Sequence, residues 1–256
     1  LDAGCAQQAA VFFPAGVYDV GRANVGTPGP FEPTVLLRIP CTQTRLLGEG
    51  AEQSRLRLMD GVGPFESLLA TPRFADDASG LSVSDLGFDG NGAGNPVSGD
   101  AAFADLYGEK RFGIRVYLGS NITIRRCAFD RWRTVNIVVL NGVEVADVEV
   151  SDCAFREIGA PPASAGTPIE DWDHSSIYTD CDGAVLANNL FTSFSGPGTF
   201  GVRTAIETHG PRQFVLSNEI CAFTTGMNAT GISQLGSSLQ VIQDNVFEDV
   251  SDGIRI

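Results

Sequence analysis

Short runs of alternating aliphatic and polar residues, punctuated by Gly, Asn and Asp, recur along the whole chain. Alternation of period two marks strands with one buried face, and these punctuating residues supply turns. The segments "GSNITIRRCAFDRW", "GVEVADVEVSDCAFREI", "GAVLANNLFTSF", "GPRQFVLSNEICAF" and "GSSLQVIQDNVFEDV" follow one plan. Each starts at a glycine, alternates, reaches a Cys or Asn, and then meets an aromatic or aliphatic anchor. The anchors Phe129, Phe155, Phe191, Ile220 and Phe247 are separated by 26, 36, 29 and 27 residues, and Phe88 reads as an earlier member. Such a period, with no helical pattern between the strands, predicts an all-β solenoid, a single-stranded right-handed parallel β-helix. Its coils would stack about 4.8 Å apart. A β-sandwich also has short strands and frequent turns, but it needs no aligned residues at a recurring period.

Stacking makes specific demands. The Phe anchors should form one column, and Asn189, Asn218 and Asn245 should line up at a turn and hydrogen-bond along the axis. Cys127 and Cys153 occupy equivalent places and should be neighbours, as buried thiols in preference to a disulfide; a Cys5–Cys41 bond is left open. One β-helix domain is expected over 1–256, with 1–10 the end of a short capping helix, 11–256 the coils, and a long loop insertion near 159–173. Leu1–Ala10 reads as the tail of a helix and Gly253–Ile256 as an interrupted strand, so both ends are expected to be truncated from a longer protein.

The stretch "VFFPAGVYDV" (11–20) resembles the N-terminal signature of the pectate-lyase-like superfamily of right-handed β-helices, and "LLGEG" (46–50) resembles the motif that commonly follows it. The resemblance implies the architecture and a carbohydrate ligand. It does not specify a reaction, because the superfamily includes lyases, hydrolases, epimerases and phage tailspikes.

Charge narrows the partners. Seventeen basic residues against 31 acidic leave a net charge of −14, which argues against nucleic acid, because phosphate binding needs a basic surface. No run approaches the ~20 apolar residues of a membrane span. The six cysteines lack metal-type spacing. No cofactor is expected, and although the acid content allows calcium, no Asp/Glu spacing specifies a calcium site. Polysaccharide is the expected partner, the expected location is extracellular, at a cell surface or on a virion, and a phage origin would imply a homotrimer.

The two histidines of the chain sit in "DWDHSSIYTD" (171–180) and "AIETHG" (205–210), both rich in carboxylates. The strands before the glycine turns align as "IRVYLG", "IVVLNG", "IYTDCDG", "IETHG" and "ISQLG". With the first aliphatic of each facing inward, Tyr178, Asp180, Glu207 and His209 share an outward face on adjacent coils. Tyr178 then lies over Glu207 and Asp180 over His209. His174 ends the loop feeding the same strand. Val138 and Leu140 are expected to form an apolar shelf one coil earlier, with Arg115 and Tyr117 beyond it. Arg203 shares the parity of Glu207. Trp172 and Asp173, on the insertion, are candidates for contact with a sugar.

This set suits two chemistries. Elimination or C5-epimerisation of a uronic acid needs a base for the proton α to the carboxyl group, an acid for the departing oxygen, and a cation for the carboxylate. Tyr178 with His174 or His209 supplies the first two, and Arg203 or Arg115 the third. Inverting hydrolysis needs two carboxylates. Asp180 and Glu207, one coil and two residues apart, would have Cα atoms about 8 Å apart, within the ~6.5–9.5 Å that such carboxyl pairs span. A third possibility is a groove that binds glycan without turning it over.

Overall fold

The computed structural model describes residues 10–21, 35–39, 41–62, 65–72, 79–95, 110–132, 136–160, 175–193, 200–201, 204–223, 225–229 and 239–255. Among them the regular structure is entirely strand, with no helix and hence none long and apolar enough to cross a membrane. The chain is an all-β solenoid of stacked coils. Of the capping helix expected over 1–10, residues 1–9 lie outside the described residues and Ala10 already opens the first strand, Ala10–Phe13; of the insertion expected near 159–173, Gly159 and Ala160 end the strand Ala154–Ala160 and 161–173 lie outside the described residues.

Among the described residues two sheets wind along the axis, of 14 and nine strands. Every described ladder is parallel except a two-residue pairing of Ala154–Ala160 with Phe200–Gly201. Stacking rather than meandering explains why equivalent residues meet. In the nine-stranded sheet Phe88, Phe129, Phe155, Phe191, Ile220 and Phe247 are successive Cα partners. The rings of Phe88, Phe129, Phe155 and Phe191 stack at centroid distances of 5.0, 4.8 and 4.7 Å. All four are fully buried, so each ring both fills the interior and offers a face to the next coil.

The corner before this column is built by a repeated backbone device. Asp85, Arg126, Asp152, Asn188, Ser217 and Asp244 all have φ between 51° and 59°. That left-handed conformation is disfavoured for most L-residues and best tolerated by Asn and Asp. It turns the chain so that the next residue points inward, and those residues are Leu86, Cys127, Cys153, Asn189, Asn218 and Asn245. The amides form the expected ladder. Asn189 Nδ2 donates to Asn218 Oδ1 at 3.0 Å and to the Val150 carbonyl at 2.9 Å. Asn218 Nδ2 repeats this with Asn245 Oδ1 and the Leu186 carbonyl, both at 2.9 Å. The ladder continues into the cysteines: Cys153 N donates to Asn189 Oδ1 at 3.0 Å. Cys127 and Cys153 are free, buried thiols, whereas Cys41 is disulfide-bonded to a partner outside the described residues.

Close approach explains the glycine of "ETHG". A Cβ on Gly210 would collide with the Cys181 carbonyl of the preceding coil, so only glycine lets the chain turn there.

Candidate functional site

The opposite sheet carries the candidate residues. Arg38, Ala70, Arg115, Val139, Tyr178, Glu207, Asn228 and Arg255 occupy one position of its ladder in successive coils. Their neighbours one residue earlier, among them Leu69, Ile114, Val138, Ile177 and Ile206, belong to the core. The alternation therefore turns Arg115, Val139, Tyr178 and Glu207 away from the interior, as the strand pattern of the first, third and fourth of these coils requires.

Two expected positions are corrected. Val138 and Leu140 are not an outward shelf: Val138 pairs with Ile114 and Ile177, both are core residues, and Val139 takes the outward place. The run "IVVL" is apolar throughout, and Ile137, the second residue of its strand, is itself 1% exposed, so aligning on the first aliphatic slips the strand by one. Likewise the coil after "IETHG" is Thr225–Ala229, whose Met227 pairs with Ile206 and Asn228 with Glu207. "ISQLG", with Ser233 and Leu235, lies outside the described residues, as do His174, Trp172, Asp173 and Arg203.

The described members of the cluster do meet. Tyr178 stands opposite Glu207 in register. Thr179 pairs with Thr208 and His209 N donates to the Thr179 carbonyl at 2.8 Å, which sets Asp180 beside His209. His209 Nε2 lies 2.6 Å from Glu207 Oε1. The Tyr178 and His209 rings face each other with centroids 5.0 Å apart and planes inclined by 31°. Glu207 is 3% exposed although it projects from the solenoid wall, and Val139 is 1% exposed, so this face is covered rather than bare. Tyr178 and His209 are half-buried, and Asp180 is exposed. Of the two carboxylates proposed for hydrolysis, one is thus sequestered against an imidazole and the other lies in solvent.

A carboxylate accepts hydrogen bonds and cannot donate them. In the neutral imidazole the proton therefore sits on Nε2 toward Glu207, and Nδ1 is the basic nitrogen. A tyrosine hydroxyl, a carboxylate-oriented imidazole and a nearby guanidinium can together move a proton to and from a bound anion. Arg115 is that guanidinium, two coils before Tyr178 with Val139 between them. Burial lowers its pKa, and Tyr117, Glu66 and Tyr178 push it back up, so Arg115 feels the Tyr178 side of the face. Glu66 was not singled out by any sequence pattern; its tie to this face is a tertiary contact with Tyr117, 51 residues away.

Among the described residues no group of three or more His, Cys, Asp or Glu is placed to hold a metal ion. Another charged surface is on the nine-stranded sheet. There Asp89 and Asp130 are Cα partners and are 1% and 6% exposed. They are neutralised by Arg131 on Asp89 and by Arg55 and Arg156 on Asp130, at 2.6 and 2.8 Å for the latter two. Like charges stacked in register need those arginines, so this ladder is structural.

No family model matches the chain and no curated protein matches it. Among solved structures it is similar to the pre-mature gene product 12 of bacteriophage phi29, with a TM-score of 0.55 and 14% identity over 89% of this chain and 31% of that one. The chain therefore spans less than a third of the length of the phage protein. It also aligns with the A-modules of two mannuronan C-5 epimerases of Azotobacter vinelandii. For AlgE4 the TM-score is 0.39 at 15% identity, covering 100% of this chain and 91% of that one. For AlgE6 it is 0.37 at 14%, covering 100% and 88%. At these identities the likeness to the phage protein is one of fold, and the chain is a parallel β-helix.

Proposed function

We propose that the face carrying Tyr178, Glu207 and His209 is the active site of a polysaccharide lyase or epimerase acting on uronic-acid-containing glycan. The observation that carries this reading is the Tyr178–His209–Glu207 constellation, in which the buried carboxylate is committed to the imidazole at 2.6 Å. Such a pair orients a base and stabilises its protonated form, whereas an inverting hydrolase would need Glu207 to face a water or a glycosidic oxygen.

In this reading His209 Nδ1 takes the proton α to the uronate carboxyl group, and the electron pair moves into that carboxyl group as an enediolate. Arg115 neutralises the developing charge. For elimination the pair returns to form a carbon–carbon double bond, the bond to the β-oxygen breaks, and Tyr178 protonates that oxygen. For epimerisation Tyr178 instead delivers its proton to the opposite face of the same carbon. Both routes leave Tyr178 to be reprotonated by the proton that His209 holds. Polysaccharide as the partner and a location outside the cell or on a virion follow from the same reading.

The test is a digestion panel of alginate, pectate, glycosaminoglycan and neutral glycans, read for reducing ends, for ultraviolet absorbance of unsaturated uronide and for changed uronate stereochemistry by NMR. Absorbance with new ends is elimination, and changed stereochemistry without new ends is epimerisation. New ends without absorbance would move the chemistry to Asp180 and Glu207 as a hydrolase. Silence across the panel would leave a binding surface.

A further inference from the structure

A second polar cluster lies beside the first. Glu66, in the strand Phe65–Ala70, is 6% exposed. Its carboxylate accepts from the Tyr117 hydroxyl and from Ser67 Oγ, the latter at 2.7 Å. Tyr117 is 9% exposed. The Arg115 guanidinium carbon stands 4.5 Å from the centroid of its ring. The Phe112 ring is 5.4 Å away.

Each link has a physical consequence. A buried carboxylate is costly and would be replaced by an apolar side chain if only stability mattered. A phenol donating to a carboxylate gains electron density, which deepens the negative face of its ring. A cation over that face is held in place by an attraction that apolar packing does not supply. Arg115 is adjacent in the ladder to Val139, and Tyr178 follows it, so its Cα lies two strand spacings, about 10 Å, from that of Tyr178. A guanidinium has five N–H donors, so contacts within the protein and a bidentate carboxylate can coexist.

We infer that Glu66 is a positioning residue, which fixes Tyr117 as a platform and so presents Arg115 to the carboxylate of a uronic acid residue bound beside Tyr178. This rests on the uronate reading above and adds the relay that makes the site select an acidic sugar in a protein of net charge −14.

The test is isothermal titration of the full chain with galacturonate and mannuronate hexasaccharides and with their carboxyl-reduced counterparts. Wild type, Glu66→Gln, Tyr117→Phe, Arg115→Lys and the Glu66→Gln/Tyr117→Phe double variant are compared. Expected is a loss of at least tenfold in uronate affinity for each single variant, with no change for the reduced sugars. The double variant should be no weaker than either single, because both cut one relay. Lysine should fail to rescue, since it neither stacks nor binds bidentately. Tyr117→Phe retains the ring volume and decides the matter if Glu66→Gln does not fold. A wild type that prefers uronate, with Glu66→Gln and Tyr117→Phe unchanged in that preference, overturns the relay and leaves the uronate reading standing. A wild type that does not prefer uronate overturns both.

Discussion

His209 illustrates how a single side chain acquires a role from its neighbours. Two residues after Glu207 and just past the end of the strand Thr204–Thr208, it stays beside that residue, with its N–H bonded to the Thr179 carbonyl, and the coil before it brings Tyr178 to its ring. Removing the Tyr178 hydroxyl leaves this packing intact but deletes the proton donor. Tyr178→Phe should lower kcat by about 10²–10⁴-fold with little change in KM. Glu207→Gln keeps an acceptor for Nε2 and should cost less, about 10-fold to 100-fold; equal losses in the two variants would count against the division of roles. Thiols provide a separate check of burial. Desolvation raises the Cys181 thiol to about 11 and the Cys153 thiol well above its ordinary value. Cys221 alone among the free described cysteines is partly exposed. Alkylation of the native protein at pH 8, read by mass spectrometry, should therefore modify Cys221 first and leave Cys127, Cys153 and Cys181 unlabelled until the chain unfolds. Early labelling of Cys153 would contradict the closed Cys–Asn column. The Tyr178, Glu207, His209 grouping was legible because both strands alternate cleanly. Glu66 was not, because its significance depends on a contact across coils that no local pattern encodes.

At the scale of the element, the coil is held by what repeats at its corners. Asn218 is buried, and its side chain accepts from both Asn189 N and Asn189 Nδ2 while donating to Leu186 and Asn245. Asn218→Ala leaves several of these groups in the interior without partners, each worth about 1–3 kcal/mol. Destabilisation of about 3 kcal/mol or more is expected, measured as a shift of the denaturant midpoint. Asn245→Ala, at the partly exposed end of the ladder, should cost distinctly less, because water can replace the lost amide. Equal costs would mean that the ladder is not a continuous unit. The columns could be read from the chain because their anchors are chemically distinctive: Phe at one place, Asn or Cys two residues earlier. Register failed where that distinctiveness was absent. "IVVL" has no polar residue to mark its outer face. "TGMNA" lacks the alternation of "ISQLG", so the more strand-like of the two segments was aligned with the wrong coil.

For the molecule as a whole, the proposed site sits in an unfavourable long-range field. Thirty-one acidic residues against 17 basic repel a polyuronate before it reaches the groove, while Arg115 attracts one carboxylate only at contact. The two effects respond differently to salt. The screening length falls from about 30 Å at 0.01 M to about 8 Å at 0.15 M, which removes most of the repulsion between distant charges. A half-buried guanidinium stacked on Tyr117 is screened far less. Consequently kcat/KM for a polyuronate should rise several-fold over this range instead of falling, as it does where a basic groove steers the substrate. The rise should be steeper for long polymers than for hexasaccharides, because more of their charge lies beyond the site. Initial rates at low substrate, taken at constant pH across that salt series, measure it directly. A steady fall with salt would mean that the local field on the Tyr178 face is positive despite the net charge. Attraction by several cations, with Arg38 and Arg255 on the same ladder as Arg115, would then govern capture in place of a single positioned arginine.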